Sequence, residues 1–186
     1  MAGDIRIIAG SARGRRLTST RGQAVRPTSS RVREAIFSIL GAKVRDASVL
    51  DLFAGIGALG LEALSRGAEQ VDFVEKAPRH AACIRTNLET LGFTAQGRVW
   101  VHDVAQTLAR GQFTGAPYDL VFLDPPYAPG AVARLLPPLL GADIIAPSGV
   151  VVAEHPQRDV PEAPGWETGR TYRYGKTSVT LLYPAT

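Results

Sequence analysis

The chain has a single cysteine, Cys83, and only three histidines, His80, His102 and His155, scattered without ligand spacing. That count excludes an internal disulfide framework and a Cys-cluster zinc site, and no metal is expected. Lysine is scarce as well: of 21 basic residues, 18 are Arg and 3 are Lys. No apolar run approaches the roughly 18 to 20 residues needed to span a bilayer. Met1 to Gly10 has neither an apolar h-region nor a small-residue cleavage site. A cytoplasmic protein with no membrane partner is the expectation. What is present is an ordinary globular composition, 45% apolar and 20% charged over 186 residues, enough for a packed core and one domain of usual size.

The formal net charge of +4 hides an uneven distribution. Residues 1–45 carry ten basic groups against Asp4 and Glu34, a surplus of eight, whereas the rest of the chain carries 11 basic and 15 acidic groups, a deficit of four. A basic arm ahead of a mildly acidic body is the pattern of a polyanion binder whose body does something else. Guanidinium forks pair with phosphate bidentately and stack on bases, so the Arg bias favours nucleic acid. A GC-rich genome would also favour Arg over Lys, but it would not cluster the charges. The candidate phosphate contacts are Arg6, Arg13, Arg15, Arg16, Arg26, Arg31 and Arg33.

Along the chain, Ile5 to Ala9 and Arg15 to Thr18 flank a Gly-bracketed turn and predict a basic β-hairpin. Thr18 to Thr28 is polar, contains Gly22 and Pro27, and predicts a loop. Val32, Ala35, Ile36, Ile39 and Leu40 recur on one face of a helix over Ser29 to Leu40, with Arg31 and Arg33 off that stripe. From Asp46 onward, apolar runs at 48–52, 71–74, 99–101, 120–123 and 149–153 alternate with helical stretches at 58–66, 78–91 and 104–110. Alternating β and α with continuous apolar strands predicts an α/β fold, a mostly parallel sheet covered on both faces. Pro137 and Pro138 interrupt a helical pattern over 130–145 and predict two short helices or one kinked helix. Two alternating stretches, 171–174 and 178–183, predict a terminal antiparallel hairpin at the sheet edge. The division expected is 1–45 as a basic extension of hairpin, loop and helix, and 46–186 as the main domain.

The chemistry concentrates at strand ends. Val49 to Gly60 reads as strand, Gly-rich turn and helix start, with Gly55, Gly57 and Gly60 in the G-x-G-x-x-G spacing that lets a backbone approach a nucleotide. Glu75, ending the next strand, is placed to accept ribose hydroxyls. Asp51 sorts the ligands: beside a dinucleotide pyrophosphate its carboxylate would repel, whereas an ammonium or sulfonium cation would be attracted. S-adenosylmethionine carries such a cationic portion, and the helix start after Gly57 would receive its carboxylate. Asp103 follows a third strand and suits an exocyclic adenine amine, or simply caps the helix beginning at Val104. Asp124-Pro125-Pro126-Tyr127 ends a fourth strand. Two prolines fix the Pro125 carbonyl beside the Asp124 carboxylate, a rigid pair of acceptors for the two hydrogens of a planar amine. Tyr127 would stack on the base, worth about 1 to 3 kcal/mol. Cys83 falls mid-helix, where packing is the expected role.

The pair Asp51-Leu-Phe-Ala-Gly-Ile-Gly57 and Asp124-Pro-Pro-Tyr127 resembles the class I S-adenosylmethionine-dependent methyltransferases that modify exocyclic amines. More narrowly, Arg6-Ile-Ile-Ala-Gly-Ser-Ala-Arg-Gly-Arg-Arg-Leu17, Arg26-Pro-Thr-Ser-Ser-Arg-Val-Arg-Glu-Ala-Ile-Phe37 and Leu59-Gly-Leu-Glu-Ala-Leu-Ser-Arg-Gly-Ala68 look like the RsmD family, which methylates the N2 amine of one guanine in bacterial 16S rRNA. The likeness runs from about Arg6 to Tyr183. It implies a Rossmann-like methyltransferase sheet and S-adenosyl-L-methionine as cofactor, held by Asp51, Phe53, Ala54, Gly55, Gly57, Glu75, Asp103 and Asp124. It implies amine recognition by Asp124, Pro125 and Tyr127. The partner implied is 16S rRNA in an assembling or assembled 30S subunit. An adenine-N6 DNA methyltransferase and an RNA-binding ribosome-assembly factor with a relict cofactor pocket are the alternatives. A protein-glutamine methyltransferase shares the two-acceptor chemistry but has no use for the basic arm.

Overall fold

The computed structural model describes residues 5–19, 29–110, 113, 117–141 and 143–185. Most of the polar stretch expected as a loop, with Arg26, lies outside the described residues. The elements in chain order are α1 (Ser30–Leu40) and a 3-10 turn (Gly41–Val44), then β1 (Ser48–Leu52), α2 (Ala58–Ser65), β2 (Gln70–Val74), α3 (Pro78–Leu91) and β3 (Gly97–Trp100). They continue with α4 (Val104–Arg110), β4 (Tyr118–Leu123), α5 (Ala131–Gly141), β5 (Ile145–Pro156), β6 (Trp166–Tyr174) and β7 (Thr177–Pro184).

Seven strands form one sheet in the order β3-β2-β1-β4-β5-β7-β6. The first five are mutually parallel, and β7 pairs antiparallel with both β5 and β6. Period-2 alternation sends one set of side chains to each face. Val49, Phe73, Leu120, Phe122 and Val152 pack with α1, α2 and α3 on one side. Leu50, Leu52, Val74, Val121 and Leu123 pack with α4 and α5 on the other. Both faces being covered is why these strands read as continuous apolar runs. The sequence order reverses where β1 neighbours β2 on one side and β4 on the other, so the connections leave in opposite directions and a crevice opens beyond the carboxyl ends of those strands.

Three elements refine the expectation in instructive ways. The stretch around Pro137 and Pro138 forms one helix, α5, whose Val132, Leu136 and Leu139 are buried against the sheet and whose Leu136 carbonyl accepts the Trp166 indole N–H (3.1 Å). The terminal strand β6 begins five residues earlier than the alternation suggested, because it keeps pairing along β7 as far as Trp166↔Pro184. The N-terminal hairpin is short, an antiparallel bridge Arg6↔Arg16 with the Ile7 N–H donating to the Arg15 carbonyl (3.0 Å) and the Leu17 N–H to the Ile5 carbonyl (2.8 Å). Two further amides of its first segment go to a helix: the Ile8 and Ala9 N–H groups donate to the Glu62 carboxylate of α2 (2.8 and 3.0 Å). Beside them the Ser11 N–H donates to the Ser65 carbonyl (2.7 Å), and the Ala12 N–H to the Ser65 hydroxyl (3.0 Å). Gly10, at φ +84°, makes this approach possible; a Cβ there would lie 1.7 Å from the Ser65 carbonyl oxygen.

Candidate active site

Strand β1 ends beside both β2 (Leu52↔Val74) and β4 (Leu52↔Leu123). The first residues past the parallel strands therefore share one rim, and a cleft of about 460 Å³ opens over it, within the range of small-molecule sites. Its wall includes Phe53 and Gly55 after β1, Glu75, Lys76 and Ala77 after β2, and Asp124, Pro125, Pro126 and Tyr127 after β4. Glu154 of β5, Thr177 of β7, and Ser29 and Val32 at the start of α1 also line it. The two strand ends singled out in the sequence open into the same cleft.

The glycine turn is built for close approach. Phe53 sits at φ +60°, Gly55 at +57° and Gly57 at +82°; an aromatic residue held there costs about 1–3 kcal/mol. The Ala54 N–H donates to the Val74 carbonyl (3.1 Å) and the Gly57 N–H to the Ala54 carbonyl (2.7 Å), which ties the turn to β2. A Cβ on Gly55, which lines the cleft, would meet nothing within 4 Å, so the space beside this backbone is open. Gly60 serves packing: a Cβ there would lie 2.3 Å from the Phe73 ring.

Each acid has a distinct post. Glu75, 8% exposed, accepts the Gly55 N–H on Oε2 (2.8 Å) and the Ala77 N–H on Oε1 (2.7 Å), which aims the carboxylate at the cleft. His80 Nδ1 is 3.7 Å from the same Oε1. Asp51, 2% exposed, lies behind the turn and off the cleft wall, with Oδ2 accepting the Gly60 N–H (2.9 Å). Burial pushes its carboxyl up to about 7; the Gly60 hydrogen bond opposes this and the Glu75 charge adds to it. Asp103 caps α4 by accepting the Gln106 N–H (3.2 Å), and its neighbour Val104 rather than its carboxylate lines the cleft. Asp124 lines the cleft directly, with Pro125 buried beside it. Tyr127 is half exposed, and its hydroxyl donates to Glu154 Oε1 (3.1 Å) while lying 2.6 Å from the Thr177 hydroxyl. Burial raises the Tyr127 phenol pKa, and the charges of Glu154 and Asp124 act in the same direction. Among the described residues no three His, Cys, Asp or Glu are grouped to hold a metal, so these carboxylates are spread along the wall.

The basic arm divides into exposed and internal charges. Arg6, Arg13, Arg15, Arg16 and Arg31 are exposed, and Arg15 Nη2 donates to the Thr90 carbonyl of α3 (2.6 Å). Arg33 is a correction to the sequence expectation. It is 2% exposed, donates through Nη2 to the Arg6 carbonyl (2.9 Å), and lies 3.7 Å from fully buried Glu62, so it faces the core and not an outside phosphate. Glu62 also holds Arg66 Nε (2.7 Å). The arm is thereby sewn to α2, and Ile7, Ala12, Leu17 and Phe37 share one apolar cluster with Val49 and Phe122.

Sequence reasoning missed Lys76, His80, Glu154, Tyr174 and Thr177 on the cleft wall. Glu154 had a signal, since it follows the apolar run 149–153 just as Glu75 and Asp124 follow theirs. Tyr174 and Thr177 flank the β6–β7 turn, and nothing in their spacing tells which strand β7 will pair with.

Comparison with known proteins agrees with this architecture. The family model described as Conserved hypothetical protein 95 matches residues 5–183. Ribosomal RNA small subunit methyltransferase D of Escherichia coli is 35% identical over 97% of this chain and 90% of its own length. The solved structure of a candidate methyltransferase, yhhF, from Escherichia coli superposes with a TM-score of 0.85 at 34% identity, covering 98% of this chain and 99% of that one. A hypothetical protein of Thermus thermophilus superposes with a TM-score of 0.80 at 32% identity, over 96% and 99% of the two chains. With a matching model over nearly its whole length and a relative this similar, the chain belongs to the Conserved hypothetical protein 95 family, the RsmD family, and has the Rossmann-like methyltransferase fold.

Proposed function

We propose that this protein transfers a methyl group from S-adenosylmethionine to the exocyclic N2 amine of a guanine in 16S rRNA of the small ribosomal subunit. The observation that carries this reading is the shared cleft: the Gly55 turn and Glu75 form one wall, and the Asp124-Pro-Pro-Tyr127 turn forms the next, across the β1–β4 junction. The likeness to a small-subunit rRNA methyltransferase supports the RNA as substrate.

The residues present fit the cofactor. Gly55 leaves open the volume a side chain would fill, and Glu75, fixed by two backbone N–H groups, offers the remaining lone pairs of its carboxylate to ribose hydroxyls. When bound, the cofactor supplies an electrophilic methyl on a sulfonium. Carboxylates on the wall favour a cationic ligand, and Lys76 and His80 are the basic side chains that line it.

On the acceptor side, an exocyclic base amine is a weak nucleophile because its lone pair is delocalised into the ring. Asp124 and the Pro125 carbonyl hold its two hydrogens, draw the nitrogen toward a tetrahedral geometry and aim the lone pair across the cleft. On methyl transfer the positive charge developing on the amine nitrogen would lie beside the Asp124 carboxylate, and the surplus proton would pass to solvent water at the open cleft. Tyr127, half exposed at the rim, provides a face for the base, which must leave its stack to enter. Exposed Arg31 lies between Ser29 and Val32, both on the cleft wall, so the basic arm reaches the mouth through which the RNA enters.

The test is methyl transfer from labelled S-adenosylmethionine to small-subunit rRNA lacking the modification, with nucleosides resolved by mass spectrometry. N2-methylguanosine is the expected product, and label appearing only in N6-methyladenosine overturns the proposal. Asp124→Ala should keep S-adenosylhomocysteine affinity in calorimetry and lose about a hundredfold or more in turnover, the scale of removing one transition-state partner.

A further inference from the structure

Glu75 and Asp124 have roles in the chemistry above; the third carboxylate on the cleft wall, Glu154, has none. Strands β4 and β5 run parallel with Leu123 opposite Ala153, so the next residues, Asp124 just past the end of β4 and Glu154 within β5, stand at the same level. They stand side by side on the acceptor half. The Tyr127 hydroxyl, 3.1 Å from Glu154 Oε1 and 2.6 Å from the Thr177 hydroxyl, braces the Glu154 carboxylate against the ring that frames the slot. A carboxylate carries about four acceptor positions, so Oε1 accepting from Tyr127 leaves capacity for a ligand donor.

Base chemistry says what that acceptor would select. Guanine presents N2–H and N1–H as adjacent donors on one edge. Adenine and cytosine place an unprotonated ring nitrogen, a lone pair, beside their exocyclic amine on the same edge. An acceptor next to an amine clamp therefore attracts guanine and repels the other two.

We infer that Glu154 is the specificity-determining residue, accepting the N1–H of the guanine whose N2 amine is held by Asp124 and the Pro125 carbonyl. This rests on the guanine-N2 function proposed above. Glu154 touches the base and takes no part in bond making; its contribution is discrimination, because a base with a lone pair at that position leaves a carboxylate unpaired.

The decisive probe is an RNA substrate carrying either guanine or 2-aminopurine at the methylated position. 2-Aminopurine keeps the 2-amine and lacks the N1 hydrogen. The wild-type protein should prefer guanine by about tenfold to a hundredfold in kcat/KM, the range for one hydrogen bond to a charged group. Glu154→Gln can turn an amide N–H toward the bare N1, so its ratio should fall toward one or reverse, with S-adenosylhomocysteine affinity in calorimetry as the control for folding. Equal use of the two bases by the wild type overturns the inference, as does an unchanged ratio in a variant that still binds S-adenosylhomocysteine. The wild-type ratio needs no variant, and it decides alone if Glu154→Gln does not fold. Failure of the wild type to methylate either base, with S-adenosylhomocysteine binding intact, refutes the guanine-N2 function itself. Methylation of guanine with no discrimination removes only the role of Glu154.

Discussion

Replacing Asp51 with Asn tests the placement of a carboxyl in the core behind the glycine turn. Its pKa moves from 3.8 to about 7 on folding, chiefly because burial disfavours the charged form. A raised acid pKa means the folded state holds its proton more tightly, so this contribution to stability is fully present below pH 3.8 and is lost as pH rises through 7. At 1.36 kcal/mol per pKa unit, the loss is about 4 kcal/mol by pH 8 and about 1.7 kcal/mol at pH 5. Asn keeps an oxygen for the Gly60 N–H (2.9 Å in the wild type) and removes the titration. Its own fitting penalty is independent of pH, so the informative quantity is the change in the difference between the two proteins. Relative to wild type, Asp51→Asn should gain about 2 to 3 kcal/mol between pH 5 and pH 8, a shift of roughly 5 to 10 °C in Tm for a chain of this size. Thermal melts of both proteins at the two pH values, in the absence of ligand, provide the assay. A Tm difference that stays constant with pH would show that Asp51 does not titrate as a buried acid, and the reasoning fails.

Two further outcomes are expected. Glu62→Ala strands the buried Arg33 guanidinium and removes the acceptor of the Ile8 and Ala9 amides; it should cost about 3 to 5 kcal/mol in denaturant unfolding and speed hydrogen exchange at those two amides, and unchanged exchange would show that the arm is held by other contacts. Neutralising Arg13, Arg15 and Arg16 to Gln should weaken RNA binding and flatten the plot of log K against log salt by about 0.7 to 0.9 per lost phosphate contact, depending on whether the contact is to a single or a double strand, whereas a slope equal to wild type places the phosphate contacts elsewhere.

The parallel core was legible because its strands are buried on both faces and carry continuous apolar runs of strand length between helical stretches. β1 and α3 fall on the residues the pattern predicted, and the first polar residues after β2 and β4 line the cleft. Legibility stopped where partners decide the outcome. Asp51 stands at a strand end like Glu75, yet Gly60 of its own turn claims it, and spacing does not reveal that. Arg33 lies off the apolar stripe and looks solvent-facing, but Glu62, 29 residues on, draws it inward. The N-terminal residues pair across their turn as the alternation suggests, but the Ile8 and Ala9 amides go to a carboxylate on α2, a partner that spacing does not reveal. Periodicity reports which face of an element is apolar; it is silent on what polar group waits there.

Helix α2 does two jobs at opposite ends. Its first turn, at Gly57 and Gly60, ties the glycine turn to Ala54 and Asp51, and Glu62 and Ser65 near its end form the socket for the N-terminal segment. The two functions cannot be exchanged separately. An arm transplanted onto another protein of this architecture would arrive without its socket, and a socket installed alone would bury an acid that has lost Arg33 and the two arm amides and keeps only Arg66. Any exchange of the N-terminal arm within this fold has to carry the helix along with it.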